Sequence, residues 1–145
     1  MPVHSVIVDT SALYALVDAD DAHHEEAVNY LKHLGKGVSL VIIDMMLMEA
    51  LTLIKSRLGG KIAARTLQTV QRSNLYKVIR LADDDWREAW RLFEQFSDQE
   101  WSPFDCACLA AARARDIREA FAFDIHFDQM AAAGLLRVPR HPLGV

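Results

Sequence analysis

Cysteine is almost absent from this chain: Cys106 and Cys108 are the only two in 145 residues. They stand two apart in a helix-like stretch, where side chains at i and i+2 diverge, so they do not readily pair with each other. No second Cys or His cluster accompanies them. That sets aside a zinc or redox site and leaves two small buried hydrophobes. Long apolar runs are missing as well, the longest being too short to cross a bilayer. Met1 to Val8 has neither the basic start nor the small-residue cleavage site of a signal peptide, so a cytoplasmic location is expected. Positive charge is in deficit too. A net charge of −4 argues against a protein that simply coats nucleic acid, although a local basic patch can serve an enzyme on an acidic chain. No repeat, low-complexity tract or linker interrupts the sequence. With 52% of residues apolar, one domain over 1–145 with a sizeable core is expected, ending in a loose tail from Pro139 to Val145.

Apolar periodicity orders what remains. Val3 to Val8 is a continuous, β-branched run that suits a strand buried on both faces, followed by a helix-like Ala12 to Val17. Asp20 to Leu34 carries apolar residues at helical spacing and is closed by Gly35 and Gly37. Val38 to Ile43 reads as a second strand. Asp44 then caps a long helix to Leu58, stopped by Gly59 and Gly60, and Lys61 to Gln71 forms another. Leu75 to Leu81 alternates as a strand, and Asp83 to Phe96 reads as an amphipathic helix built on Trp86, Ala89, Trp90 and Phe93. Its opening Asp83, Asp84 and Asp85 are an acidic first turn. Pro103 to Arg115 is a further helix, Ala120 to Phe123 a short strand ending at Asp124, and Leu135 to Val138 a last strand. Strands alternating with helices predict an α/β fold with a central parallel sheet covered on both faces. Basic residues gather in two stretches, Lys55, Arg57, Lys61, Arg65 and Arg72, and Arg113, Arg115 and Arg118, which read as solvated helix faces.

Four acids stand where such a sheet builds its sites, in the crevice at the carboxyl ends of the strands. Asp9 and Asp124 each close a strand. Glu49 lies about a turn and a half into the helix after the second strand, and Asp105 lies in the first turn of the helix before the last site strand. Each also has a structural explanation. Ser102, Pro103 and Asp105 spell an N-cap, a first helical residue and a capping-box partner, while Asp9 and Asp124 can cap the helices they precede. Glu49 fits this scheme least, having no cation at i+3 or i+4, although Glu49, Thr52 and Ser56 could form a solvent-facing stripe.

Convergence would have an electrostatic consequence. Carboxylates within a few ångström of one another repel by several kcal/mol at low dielectric and need protons or a cation to coexist. No Lys or Arg flanks any of the four. Hard oxygen ligands without Cys or a regular His spacing point to Mg²⁺ or Mn²⁺ rather than Zn²⁺. Such a centre suits phosphodiester hydrolysis, in which the metal activates water and polarises the phosphoryl group. Thr10 or Ser11 could hold a water or a phosphate oxygen, or serve as ordinary helix N-terminal hydroxyls.

The order and setting of these residues resemble the PIN domain, specifically the ribonuclease toxins of prokaryotic VapBC toxin-antitoxin pairs. The marks are Val8-Asp9-Thr10-Ser11-Ala12-Leu13, Met48-Glu49-Ala50-Leu51, Ser102-Pro103-Phe104-Asp105-Cys106 and Ala122-Phe123-Asp124-Ile125-His126-Phe127. The resemblance implies a three-layer α/β/α domain that binds Mg²⁺ or Mn²⁺ and cuts RNA, dimerises, and is inhibited by a small antitoxin. It implies Asp9, Glu49, Asp105 and Asp124 as the acidic centre, with Asp9 and Asp105 the direct ligands and Asp128 a weaker outer-shell carboxylate. Two positions depart from the pattern. Phe104 stands where a Thr or Ser often precedes the third acid, and Ala122 where a Thr often precedes the strand-end Phe-Asp, removing two hydroxyls. His126 belongs to a frequent Asp-x-His-Phe pattern and reads as structural.

Other readings of the same residues fare worse. An aspartate phosphotransferase would need a second acid at Ser11, and a response-regulator receiver would place its phospho-acceptor on a middle strand. A PIN-like scaffold that keeps the acids but acts by RNA or protein binding is the remaining alternative, motivated by Phe104 and Ala122.

Overall fold

The computed structural model describes residues 4–139. Four strands form one sheet: β1 (His4–Val8), β2 (Val38–Ile43), β3 (Tyr76–Ile79) and β4 (Glu119–Phe121). They lie in the order β3-β2-β1-β4, and every neighbouring pair is parallel. Val6 to Val8 and Leu40 to Ile43 are buried without alternation, as strands covered on both faces must be. The helices between them are α1 (Thr10–Val17), α2 (His24–Lys32), α3 (Asp44–Leu58), α4 (Gly60–Arg72), α5 (Asp83–Gln95), α6 (Pro103–Ala114) and α7 (Ile125–Ala132). Helices α1 to α4 pack among themselves and α5 packs on α6, giving the expected α/β/α layering.

The strand order creates the crevice. From β1 the chain steps to β2 on one side, whereas β4 arrives on the other, so the carboxyl end of β1 is the point at which the winding reverses. Helix α6 is held tightly beside it. Every residue from Asp105 to Ala112 is buried, and the small Ala107, Ala110, Ala111 and Ala112 let its backbone approach its neighbours closely. Aromatic contacts fix the other flank of β4. Tyr30 of α2 stacks on Phe121 with ring centroids 4.3 Å apart, and His23 stacks on Phe123 at 4.6 Å.

Several expected boundaries shift, each for a local reason. The helix expected over Asp20 to Leu34 starts only at His24, because Asp18 and Asp21 accept backbone hydrogen bonds from Asp20 and His23 and fold the intervening residues into turns. Asp44 is the first helical residue rather than the cap, a position held by Ile43. Strand β4 ends at Phe121, three residues short of Asp124. The strand expected over Leu135 to Val138 is a single parallel bridge between Arg137 and Glu119. Of the four residues on which the Asp83 to Phe96 helix was built, Ala89 is buried but Trp90 and Phe93 are 49% and 42% exposed. Apart from Pro139, the tail from Pro139 to Val145 lies outside the described residues.

The acidic run at the start of α5 is more than a dipole-favouring turn. Asp85 is buried, accepts the Ala82 amide hydrogen at the start of α5, and receives both terminal nitrogens of Arg115 at 3.0 Å. The guanidinium holds the Asp85 carboxyl below the usual carboxylate range, and the fork also donates to Ala111, tying α5 to the C-terminal end of α6. Arg115→Ala would strand a buried carboxylate. We expect a loss of about 2 kcal/mol at pH 7, below the ~3–5 kcal/mol of a fully buried pair, because Arg115 is 31% exposed. The pair stabilises only while Asp85 is ionised. Urea unfolding should therefore show a gap between variant and wild type that narrows as pH falls below about 4.

Candidate metal centre

Asp9 follows the last residue of β1 and is the N-cap of α1. Its amide donates to the Phe121 carbonyl at 3.0 Å, which extends the β1–β4 pairing by one rung and fixes the carboxylate over the crevice. Ser11 completes the attachment. Its hydroxyl donates to Asp9 Oδ2 at 2.7 Å and accepts from the Phe123 amide at 2.9 Å. The Ser11 hydroxyl is thus a bracket between Asp9 and the exit of β4. Thr10 is committed in the same way, its hydroxyl donating to Glu49 Oε1 at 2.7 Å.

Asp105 and Asp124 are helix-start residues as well. Ser102 caps α6 and Asp105 accepts the Ser102 amide hydrogen at 2.8 Å, the reciprocal capping box its sequence spells. Asp124 caps α7 through the His126 amide. The capping and site readings of these acids are therefore compatible. Asp9 and Asp124 cap their helices, Asp105 completes the capping box of Ser102, and all three line the same crevice.

All four acids line one cavity of about 330 Å³, together with Thr10, Ser11, Met46, Leu53, Ser102, Phe104 and His126. Asp9 and Asp105 are buried, Asp124 is partly covered and Glu49 is exposed. Asp128 is exposed on the first turn of α7 and is not part of this wall. Thr10, Ser11 and Ser102 contribute the hydroxyl side chains of the cavity wall.

His126 ties two of the acids together. Its Nδ1 lies 2.7 Å from Asp105 Oδ2 and 3.4 Å from Asp124 Oδ1. Asp105, Asp124 and His126 each offer a donor atom within 4.8 Å of the other two, a grouping that leaves out Asp9 and Glu49. The signal was present in the sequence, since the second residue after an N-cap sits over the cap. Which acid its ring would meet depended on the approach of α6.

The electrostatics follow from this crowding. Burial, opposed by the hydrogen bonds from Ser11 and reinforced by the charges of Asp105 and Asp124, pushes the Asp9 pKa up to about 6. Burial pulls the His126 pKa down, but its hydrogen bond to Asp105 and the charges of Asp124, Asp105 and Glu100 outweigh this and raise it. Among the described residues no Lys or Arg forms a salt bridge with any of the four acids. The nearby thiols do not compete as ligands. Burial raises the Cys106 pKa to about 11 and that of Cys108 well above its ordinary value, in keeping with two inert hydrophobes. A hard oxygen-rich donor set with an excess of negative charge fits a divalent cation such as Mg²⁺ or Mn²⁺.

A parallel sheet with a carboxylate cluster at its winding reversal defines an α/β domain with an acidic crevice site, and comparison with known proteins narrows it. Residues 6–133 match the PIN domain family, to which the chain belongs. Over 135 residues it is 31% identical to the 23S rRNA-specific endonuclease VapC20 of Mycobacterium tuberculosis, covering 92% of this chain and 97% of that protein. The crystal structure of VapC20, described as a sarcin-ricin loop cleaving toxin, superposes with a TM-score of 0.80 at 28% identity, over 92% of this chain and 98% of that one. A toxin-antitoxin complex from Klebsiella pneumoniae aligns with a TM-score of 0.69 at 16% identity, over 92% and 97% of the two chains, and shares the fold. No helix among the described residues is long and apolar enough to cross a membrane.

The raised Asp9 pKa carries a stability prediction for the metal-free protein. Between about pH 4 and 6 the native state keeps a proton that the unfolded chain releases, so stability declines as pH rises through that window. His126 acts in the same direction at higher pH, its stabilisation being present when protonated and lost as it deprotonates. Asp9→Asn removes the ionisation and keeps an acceptor for Ser11. In the presence of chelator we expect it to raise the Tm at pH 7 and to flatten the slope between pH 4 and 6. A variant that melts lower than wild type at pH 7 would refute the assignment.

Proposed function

We propose that this protein is a metal-dependent endoribonuclease, the toxin of a toxin-antitoxin pair, acting in the cytoplasm on RNA. The observation that carries this reading is the meeting of Asp9, Glu49, Asp105 and Asp124, carried by four different helices or their caps, in one cavity that no Lys or Arg lines among the described residues. Asp9 and Asp105 would hold a Mg²⁺ or Mn²⁺ ion, with Asp124 and Glu49 completing the charge around it. Bound there, the ion would polarise a phosphoryl oxygen and lower the pKa of an attacking water. Ser11 holds Asp9 in place, Thr10 holds Glu49, and His126 holds Asp105 beside Asp124. These are positioning residues, and their hydrogen bonds keep the acids from turning outward to solvent.

The similarity to VapC20 supports a structured loop of ribosomal RNA as the substrate class, and the likeness to toxin-antitoxin complexes supports a small protein antitoxin. A homodimer is the expected assembly. The exposed Lys55, Arg57, Lys61, Arg65 and Arg72 on α3 and α4 supply basic surface outside the acidic cavity that can guide an RNA backbone.

Two variants test the centre. Asp105→Asn and Asp9→Asn should each reduce RNA cleavage by roughly 100-fold or more, the scale of losing one preorganised charge at a reacting phosphoryl group, while circular dichroism shows both folded. Mn²⁺ titrated calorimetrically into wild type should bind and raise its Tm, and neither effect should appear in Asp9→Asn. Wild-type cleavage rates in Asp105→Asn, or undiminished cleavage in excess chelator, would refute the mechanism. Wild type that fails to bind millimolar Mn²⁺ and does not cut RNA would instead identify a PIN-like scaffold.

A further inference from the structure

The exposed apolar residues of this protein are not scattered. Six large hydrophobic side chains stand exposed among the described residues, and three of them are sequence neighbours of site acids: Met48 beside Glu49, Phe104 beside Asp105 and Ile125 beside Asp124. Met48 is 69% exposed and Phe104 40%. Both line a second cavity, of about 720 Å³, between α3 and the start of α6, with Met45, Leu53, Thr52 and Ser56. Thr10, Glu49, Leu53 and Phe104 belong to the walls of both this cavity and the acidic one. The two are therefore compartments of one cleft, separated by a shared wall. The larger is an open apolar groove with room for a small planar group.

We propose that this apolar compartment is a nucleobase subsite, in which Phe104 stacks an unpaired base of the RNA next to the phosphodiester held at the acids. This rests on the nuclease reading above and adds a substrate-positioning role to it. Among the described residues neither compartment is lined by Lys or Arg, so basic side chains do not hold the RNA beside the cut. Stacking can, since every base offers an apolar face, and recognition of unpaired RNA uses aromatic platforms of this kind. Met45 and Met48 add polarisable sulfur that packs well against aromatic rings. The hydroxyl of Thr52, which donates to the Met48 carbonyl at 2.8 Å, retains acceptor capacity towards a base edge, and Ser56 offers a second hydroxyl. Phe104, where a small hydroxyl residue is the resembled pattern, thus occupies the position through which an RNA would pass from one compartment to the other.

The test combines protein and substrate truncation. Wild type, Phe104→Ala and Phe104→Trp are assayed on a short RNA containing the cut sequence and on copies carrying a single abasic ribose at each position flanking the cut. Loss of one stacked base is worth ~1–3 kcal/mol, so Phe104→Ala should lower kcat/KM on the intact RNA by about 5- to 150-fold. One abasic position should lower the wild-type rate similarly. On that substrate Phe104→Ala should cost little more. Phe104→Trp should keep most of the activity, and because no charge is involved the Phe104→Ala effect should persist at high salt. An equal Phe104→Ala penalty on intact and abasic RNAs, or no penalty at all, overturns the proposal. An unchanged RNA penalty profile together with lost inhibition by the co-expressed protein of an adjacent reading frame would assign the compartment to a peptide instead, and also overturns it.

A second readout keeps the subsite separable from the nuclease reading. Asp105→Asn protein is mixed with RNAs carrying 2-aminopurine at successive positions. Quenching at one position that Asp105→Asn/Phe104→Ala abolishes supports the subsite even if wild type cuts nothing, and absence of position-specific quenching overturns it.

Discussion

Burying a carboxylate beside two others is the constraint on which this molecule is built. Asp9 is 5% exposed at the carboxyl end of the central strand β1, within electrostatic reach of Asp105 and Asp124. Taking such a group out of water is unfavourable unless it is protonated, hydrogen-bonded or paired with a cation. The protein supplies hydrogen bonds, from the Ser11 amide and hydroxyl, but no Lys or Arg. Full compensation is left to something that arrives from solution. The same crowding that makes the centre unfavourable on its own is what a bound divalent ion would relieve, a division of stability and function common at active sites.

The surrounding fold holds this unfavourable arrangement together. Parallel pairing puts the exits of β1 and β4 side by side, the Ser11 bracket joins them across 112 residues of sequence, and the Ala-rich face of α6 brings Asp105 in from a third direction. Asp85 and Arg115 secure α6 at its other end. The site is therefore assembled by long-range contacts on rigid elements, the condition under which charged groups stay where catalysis requires them.

The fold was largely legible in the sequence because its strands are short apolar runs closed by polar or glycine signals. Val38 to Ile43 was read to the residue. Legibility failed where one pattern admits two outcomes. Ala122 and Phe123 are as apolar as the strand before them, so β4 looked longer than its ladder. The α5 stripe of Trp86, Trp90 and Phe93 has the same period whether or not a neighbour covers it, and here α6 takes only part of the face. Asp85 could not be told from Asp83 and Asp84, because its distinguishing partner lies 30 residues away. At the site, the acids themselves were visible from their strand-end and helix-start settings. The commitment of Thr10 and Ser11, and the placement of His126 on Asp105, depend on side-chain directions across elements that local spacing does not encode.

That Asp9 and Asp124 are helix caps and Asp105 is the capping-box partner of Ser102 has one more consequence. Helices α1, α6 and α7 all begin at the cavity, and each helix start carries roughly half a positive elementary charge from its aligned peptide dipoles. The backbone thus provides a standing counter-field that is present before any ion binds and cannot be removed by side-chain substitution. Neutralising the acids would not leave a neutral hollow. Three helix amino ends would still border it, and the field they leave favours negative charge.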